Sequence, residues 1–242
     1  MRRTELASRN ASFHEGGIAG ALFAPLKFAF ALAVLLVAVL LSAWIVDWIF
    51  VFKVWSDGID RLKSILAVDL ARGIELAEQQ GGAPGSVSGT ANFLYGLVFR
   101  ATGIHDMGMR FAEGAALSIP DTIVRNTYIA NRDAIEVAMI GTQLLGVRLA
   151  TLAMNVPLLA LVYLVGAGDG LTQRAIRRAA GGRESASLYH RAKHLQILLV
   201  VMLGALNLLQ PVSIDPRLIW VPGAVLVGML ARLQWTYYKK HL

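Results

Sequence analysis

The unbroken apolar run at residues 28–46, FAFALAVLLVAVLLSAWIV, constrains this chain more than any other feature. Wound as a helix it can cross a hydrocarbon core of about 30 Å, and in water it would have to be buried on every side. The composition agrees. The chain is 56% hydrophobic and 16% charged, where soluble domains hold roughly 45–50% and about 25%. Asp47 interrupts the run before WIFVF extends it, so the first span is expected at residues 28–52, with Trp44, Trp48 and Trp55 near its outer end. A secretory leader would have a core of about 7–15 apolar residues and a small-x-small cleavage site. This run is longer, and Leu41-Ser42-Ala43 is a poor site, so a retained anchor is expected.

Three more apolar stretches follow. Residues 149–166 form the second expected span, with Pro157 as a kink and Arg148 reaching from its edge toward water. Residues 195–209 and 218–233, joined by the proline turn QPVSIDP, form a hairpin at 195–233. Before the second span, residues 53–148 differ in kind, with nine Lys and Arg against ten acids. Ile59, Leu62, Leu66, Leu70 and Ile74 recur at threes and fours, the stripe of an amphipathic helix. The stretch GGAPGSVSGT (81–90) reads as a loop. Short helices are expected at 91–101 and 109–117. Another starts at Ser118, Pro120 and Asp121, by its cap, its early proline and its acid near the positive dipole end, and continues toward the membrane. No stretch alternates with period two, so the fold class is all-α: a polytopic membrane protein with about four transmembrane helices and a small helical extracytoplasmic domain.

Charge orients that layout. Residues 167–194 carry six Lys and Arg against Asp169 and Glu184, and both terminal segments are also basic. Basic loops favour the cytoplasmic side. The expectation is a multi-pass protein of the bacterial inner membrane with a cytoplasmic tail at 1–27, a periplasmic domain at 53–148, a basic cytoplasmic loop at 167–194 and a cytoplasmic tail at 234–242. The formal net charge of +7 then follows from orientation, and direct nucleic-acid binding is not expected.

Catalytic patterns are missing. The chain has no cysteine, no GxSxG elbow and no P-loop. His190 and His194 stand four apart, but RAK separates them, with no zincin glutamate and with basic neighbours that repel a cation. Asp57 and Asp60 read as a solvated helical face. Asp47 lies near a span end, and Asn155 and Asn207 fit the role of helix–helix glue. No enzyme, cofactor or metal is expected.

The basic loop is the most distinctive segment. Arg174, Arg177 and Arg178 share one side of a short helix that Gly181 and Gly182 end, with Leu171, Ala175 and Ile176 as an apolar edge. Such a connector can dock on anionic headgroups or on a cytoplasmic partner. The string Asp169-Gly170-Leu171-x-x-Arg174, Arg177-Arg178, Gly181-Gly182-Arg183-Glu184-Ser185, then Tyr189-His190-x-Ala192-Lys193 resembles an uncharacterised membrane-protein family of integrating conjugative elements and some conjugative plasmids. Length and hydropathy layout match as well. The resemblance implies a role in conjugation near the type IV secretion apparatus and its coupling ATPase, and it brings no catalytic residues. The expected function is a non-enzymatic accessory or scaffold of the coupling or secretion machinery. The loop residues from Asp169 to Lys193 would face a partner or lipid. A surface exclusion protein is the alternative, followed by a small transporter or channel. An enzyme acting on lipid comes last.

Overall fold

The computed structural model describes residues 2–83, 85–112, 119–181 and 186–238. Among these residues there is no strand. Eight helices follow in order: α1 (Arg2–Ile49), α2 (Gly58–Gln79), α3 (Gly85–Tyr95), α4 (Ile104–Ala112), α5 (Ile119–Ala130), α6 (Arg132–Ala179), α7 (Ala186–Leu209) and α8 (Pro216–Thr236). Single π-helical turns extend α1 over Phe50–Val54 and α3 over Gly96–Arg100. Among the described residues, four helical stretches are long and apolar enough to cross a membrane: Ala24–Val54, Arg132–Ala179, Ser187–Leu209 and Pro216–Thr236.

The chain divides into two compact units, Met1–Ser42 and Ala43–Leu242. The first is a single stretch of α1. It runs through Pro25 and exposes Phe28, Phe30, Leu32 and Leu35, which suits a helix surrounded by lipid. The expected tail at 1–27 is helical from Arg2, in a stretch holding good helix formers such as Arg, Glu and Leu.

In the second unit α6 is the spine. Its 48 residues give a rod of about 72 Å, far more than one bilayer crossing. The first half is covered by α2 and α3. Val51, Leu62 and Ile65 close on Val137 and Leu144, and Ala77, Val87 and Ala91 close on Val147 and Ala150. A Cβ placed on Gly146 would lie 2.6 Å from the Ala91 Cα, so only glycine lets the α3 backbone come this close. The second half of α6 packs on α8 along a seam of small residues, in which Gly166 faces Gly228 and Ala231 and Gly170 faces the Arg232 carbonyl. Small residues of this kind are what brings helices together in lipid, where no hydrophobic drive separates helix from solvent. On the outer surface Leu161, Leu164 and Val165 of α6, Leu198 and Val201 of α7, and Val225 and Met229 of α8 are exposed. A belt of this extent is far beyond what a soluble monomer shows.

Several expected boundaries move. The second expected span, 149–166, lies inside a longer helix that already runs from Arg132. The helix expected to continue from Pro120 stops instead at Asn131, whose side-chain amide donates to the Thr127 carbonyl at 2.9 Å and competes with the backbone ladder. Ser118, its expected cap, lies outside the described residues. The loop expected at 81–90 is helical from Gly85, because the fully buried Val87 anchors α3 against α2 and α6. The basic loop at 167–194 contracts in the same way. Its first part is the end of α6 and its last part is the start of α7, with Ala180 and Gly181 following α6 as a turn.

Candidate functional site

Two polar layers bound the second half of α6, and both follow from where the sequence places charge along a rod that lipid would otherwise surround. The first is centred on Arg148. Asp69 falls four residues after Ile65 and seven after Leu62, on the buried face of α2. It accepts the Arg148 Nε–H at 2.9 Å, and both residues are more than nine-tenths buried. Arg148 Nη1 donates to the Gln210 carbonyl at 2.6 Å, at the head of the α7–α8 turn. Ser213 in that turn donates to the other oxygen of Asp69 and receives Arg72 Nη1 at 2.7 Å. Asn207 Nδ2 donates to the Arg148 carbonyl at 2.9 Å, and its Oδ1 accepts Trp220 Nε1 at 3.3 Å. Asp215 caps α8 by accepting the Arg217 N–H at 2.9 Å, with Pro216 in the first turn. The Arg217 guanidinium reaches back to Glu75 at 3.0 Å and Gln79 at 2.7 Å on α2. The hairpin turn is thereby stitched to α2 and to the middle of α6.

The expectations for these residues divide. Arg148 does not reach out to water; it is a buried partner of Asp69, which stood in the sequence as one acid among ten on a polar domain. Asn207 does bind helix to helix. Asn155 turns inward to its own helix, donating to the Thr151 carbonyl at 2.7 Å. Asp47 is buried beside Gly141 and lines a small void with Arg148. The signal that could have revealed the pair is the register of Asp69 with Leu62 and Ile65.

The second layer lies where α6 ends, about 39 Å along the helix between Arg148 and Arg174. Asp169 pairs with Arg232 of α8 at 2.7 Å. Gly170 is buried, and a Cβ there would lie 2.5 Å from the Arg232 carbonyl, so this glycine allows a close helix contact. The Arg174 guanidinium lies 5.3 Å from the Tyr238 ring, and that of Arg177 lies 4.2 Å from the Tyr237 ring. Tyr189 joins from α7, edge-on to Tyr238 at 5.5 Å and to His190 at 5.2 Å. Arg178, His190 and Lys193 are exposed. Gly181, at φ +71°, ends α6 by the left-handed turn that glycine adopts freely, as the sequence indicated. Gly182, Arg183, Glu184 and Ser185 lie outside the described residues. The described side chains expected on one loop therefore belong to the end of α6 and the start of α7, braced by tyrosines that follow α8.

Residues 75–239 match the profile of a family described as IncC plasmid conjugative DNA transfer protein DtrJ-like, over about two-thirds of the chain. The chain belongs to this DtrJ-like family. The match spans Arg148, the whole hairpin and the basic end, and it begins after Asp69 and Arg72. No curated protein and no solved structure is similar to the chain. The family is one of conjugative DNA transfer, as the resemblance carried by residues 169–193 implies.

Proposed function

We propose that this DtrJ-like chain is a non-enzymatic inner-membrane component of a conjugative transfer apparatus, accessory or scaffold to its coupling and secretion machinery. The observation that carries the reading is the basic end of the helical hairpin within a conjugation-family chain. Arg174 and Arg177 are held over Tyr238 and Tyr237, while Arg178 and Lys193 are exposed beside them. Tyrosine faces fix long side chains that would otherwise lose rotamer freedom on docking, and such ordering lowers the entropic cost of an interface. The partner proposed for this end is the cytoplasmic coupling ATPase or another secretion subunit.

Orientation supports the same reading. The basic end faces the cytoplasm by the positive-inside tendency, and the turn at 210–215, tied to α2, then lies on the periplasmic side with both termini inside.

Two measurements test it. Deleting the gene from donor cells should lower transfer, and membrane extracts of tagged protein should recover a coupling or secretion subunit. Arg177→Glu together with Arg178→Glu should abolish that recovery while the protein stays in the membrane. Transfer that falls only when the gene is expressed in recipients would replace this reading with surface exclusion.

A further inference from the structure

An apolar groove of about 540 Å³ lies apart from both polar layers, at the start of α6. Trp44 and Trp48 form one wall, Phe99 and Ile104 a second, and Ile123 of α5 with Ile135 of α6 complete it. We propose that this groove is a binding site for one acyl chain of a bilayer phospholipid.

Three observations select that occupant. The lining surface is almost wholly apolar, and three polar groups on it already donate within the protein: Trp48 Nε1 to the Ala134 carbonyl at 3.1 Å, Trp44 Nε1 to Thr142 Oγ1 at 3.0 Å, and Thr127 Oγ1 to the Ile123 carbonyl at 3.0 Å. An occupant bearing polar groups would lose its water and gain little in return, whereas a hydrocarbon loses nothing. The volume is the second. A methylene is close in size to a water, whose share of liquid volume is about 30 Å³, so the groove holds on the order of eighteen of them, the length of one fatty chain. An α-helix about 10 Å across and 5.4 Å per turn would fit little more than a single turn. Position is the third. Trp44 and Trp48 stand in the Ala24–Val54 stretch, which is apolar enough to cross a membrane, and Ile45, Ile49 and Phe52 beside them are exposed. Ile123, Val124 and Ile129 expose more apolar surface on α5. Indoles of this kind favour the headgroup boundary, where a lipid tail can fold sideways into protein.

The experiment uses the full chain in nanodiscs of phosphatidylethanolamine and phosphatidylglycerol, doped with phosphatidylethanolamine that bears a photoactivatable group on its acyl chain. After irradiation, peptide mass spectrometry should find adducts on Ile104, Ile123 and Ile135 in excess of those on Val225 and Met229, which lie on the exposed belt of α8. Thr127→Trp on the rim and Ala134→Phe inside the groove should each remove the groove adducts and leave those on α8, which report insertion of the variant. Groove labelling no higher than that on α8, or adducts that survive both substitutions, would overturn the proposal. Labelling confined to α8 would overturn it in favour of a second copy or a partner segment seated in the groove. Should a variant fail to insert, its α8 adducts vanish, and the ratio measured on the unaltered chain decides alone.

Discussion

Arg148 is a cation buried where three elements meet, paired with Asp69 and hydrogen-bonded to the Gln210 carbonyl of the α7–α8 turn. Removing one member of such a pair strands the other. Asp69→Ala or Arg148→Ala is expected to cost about 3–5 kcal/mol, whereas Asp69→Leu with Arg148→Met should come much closer to neutral, because neither charge is then buried. Denaturant titration in mixed micelles checks both, and equal losses in the single and double variants would contradict the argument. Two groups outside the spans predict alkaline behaviour. Burial raises the Tyr95 phenol above its ordinary 10.0, and the Lys63 ammonium is raised above 10.5, chiefly by its hydrogen bond to Glu136. Both hold their proton more tightly when folded, so their contribution is complete below about pH 10 and is lost as pH rises through the raised values. Stability is expected to be level at neutral pH and to fall above about pH 10, with Tyr95→Phe flattening the fall. Calorimetry across that range measures it.

Glycines decide how closely the helices approach. At Gly146 the obstacle to a side chain is the Ala91 Cα at 2.6 Å and the Thr90 carbonyl at 3.1 Å, backbone that cannot swing aside. Gly146→Ala is expected to destabilise by about 1–3 kcal/mol through forced separation of α3 from α6. Gly168 has nothing within 4 Å of the same position on the exposed side of α6. Gly168→Ala should therefore stabilise by about 0.5–1 kcal/mol through backbone entropy. Thermal unfolding of the two variants side by side separates packing from propensity, and a shift of the same sign in both would refute the assignment. The helical character of α2, α7 and α8 was legible from apolar spacing and from the proline turn between the last two. The contraction of the basic loop was not, because Arg174 to Arg178 look alike in sequence whether they end a long helix or decorate a short one. Val87 likewise gave no warning that a stretch rich in glycine and serine would be drawn into a helix by the core it fills.

Across the whole molecule, the polar layers at Arg148 and at Arg174 are separated by about 39 Å of α6, and the hairpin of α7 and α8 bridges the same interval. Reporter fusions at Arg100 and Gly181 are expected in opposite compartments. Finding both on one side would remove the basis for a cytoplasmic docking end. The family match sets this architecture in conjugative DNA transfer.

The sequence by itself determined the medium and the fold class. An apolar run of the length at 28–46 suits a helix in lipid, where every backbone group must be satisfied internally. Its string from Asp169 to Lys193 also carried the conjugative setting. Tertiary structure decided the rest. Asp69 and Arg148 stand 79 residues apart, and no local pattern can show that two charges so distant will be desolvated together. The groove beside Trp48 exists only because α1, α4, α5 and α6 converge there, a juxtaposition set by packing rather than by any segment's own preference.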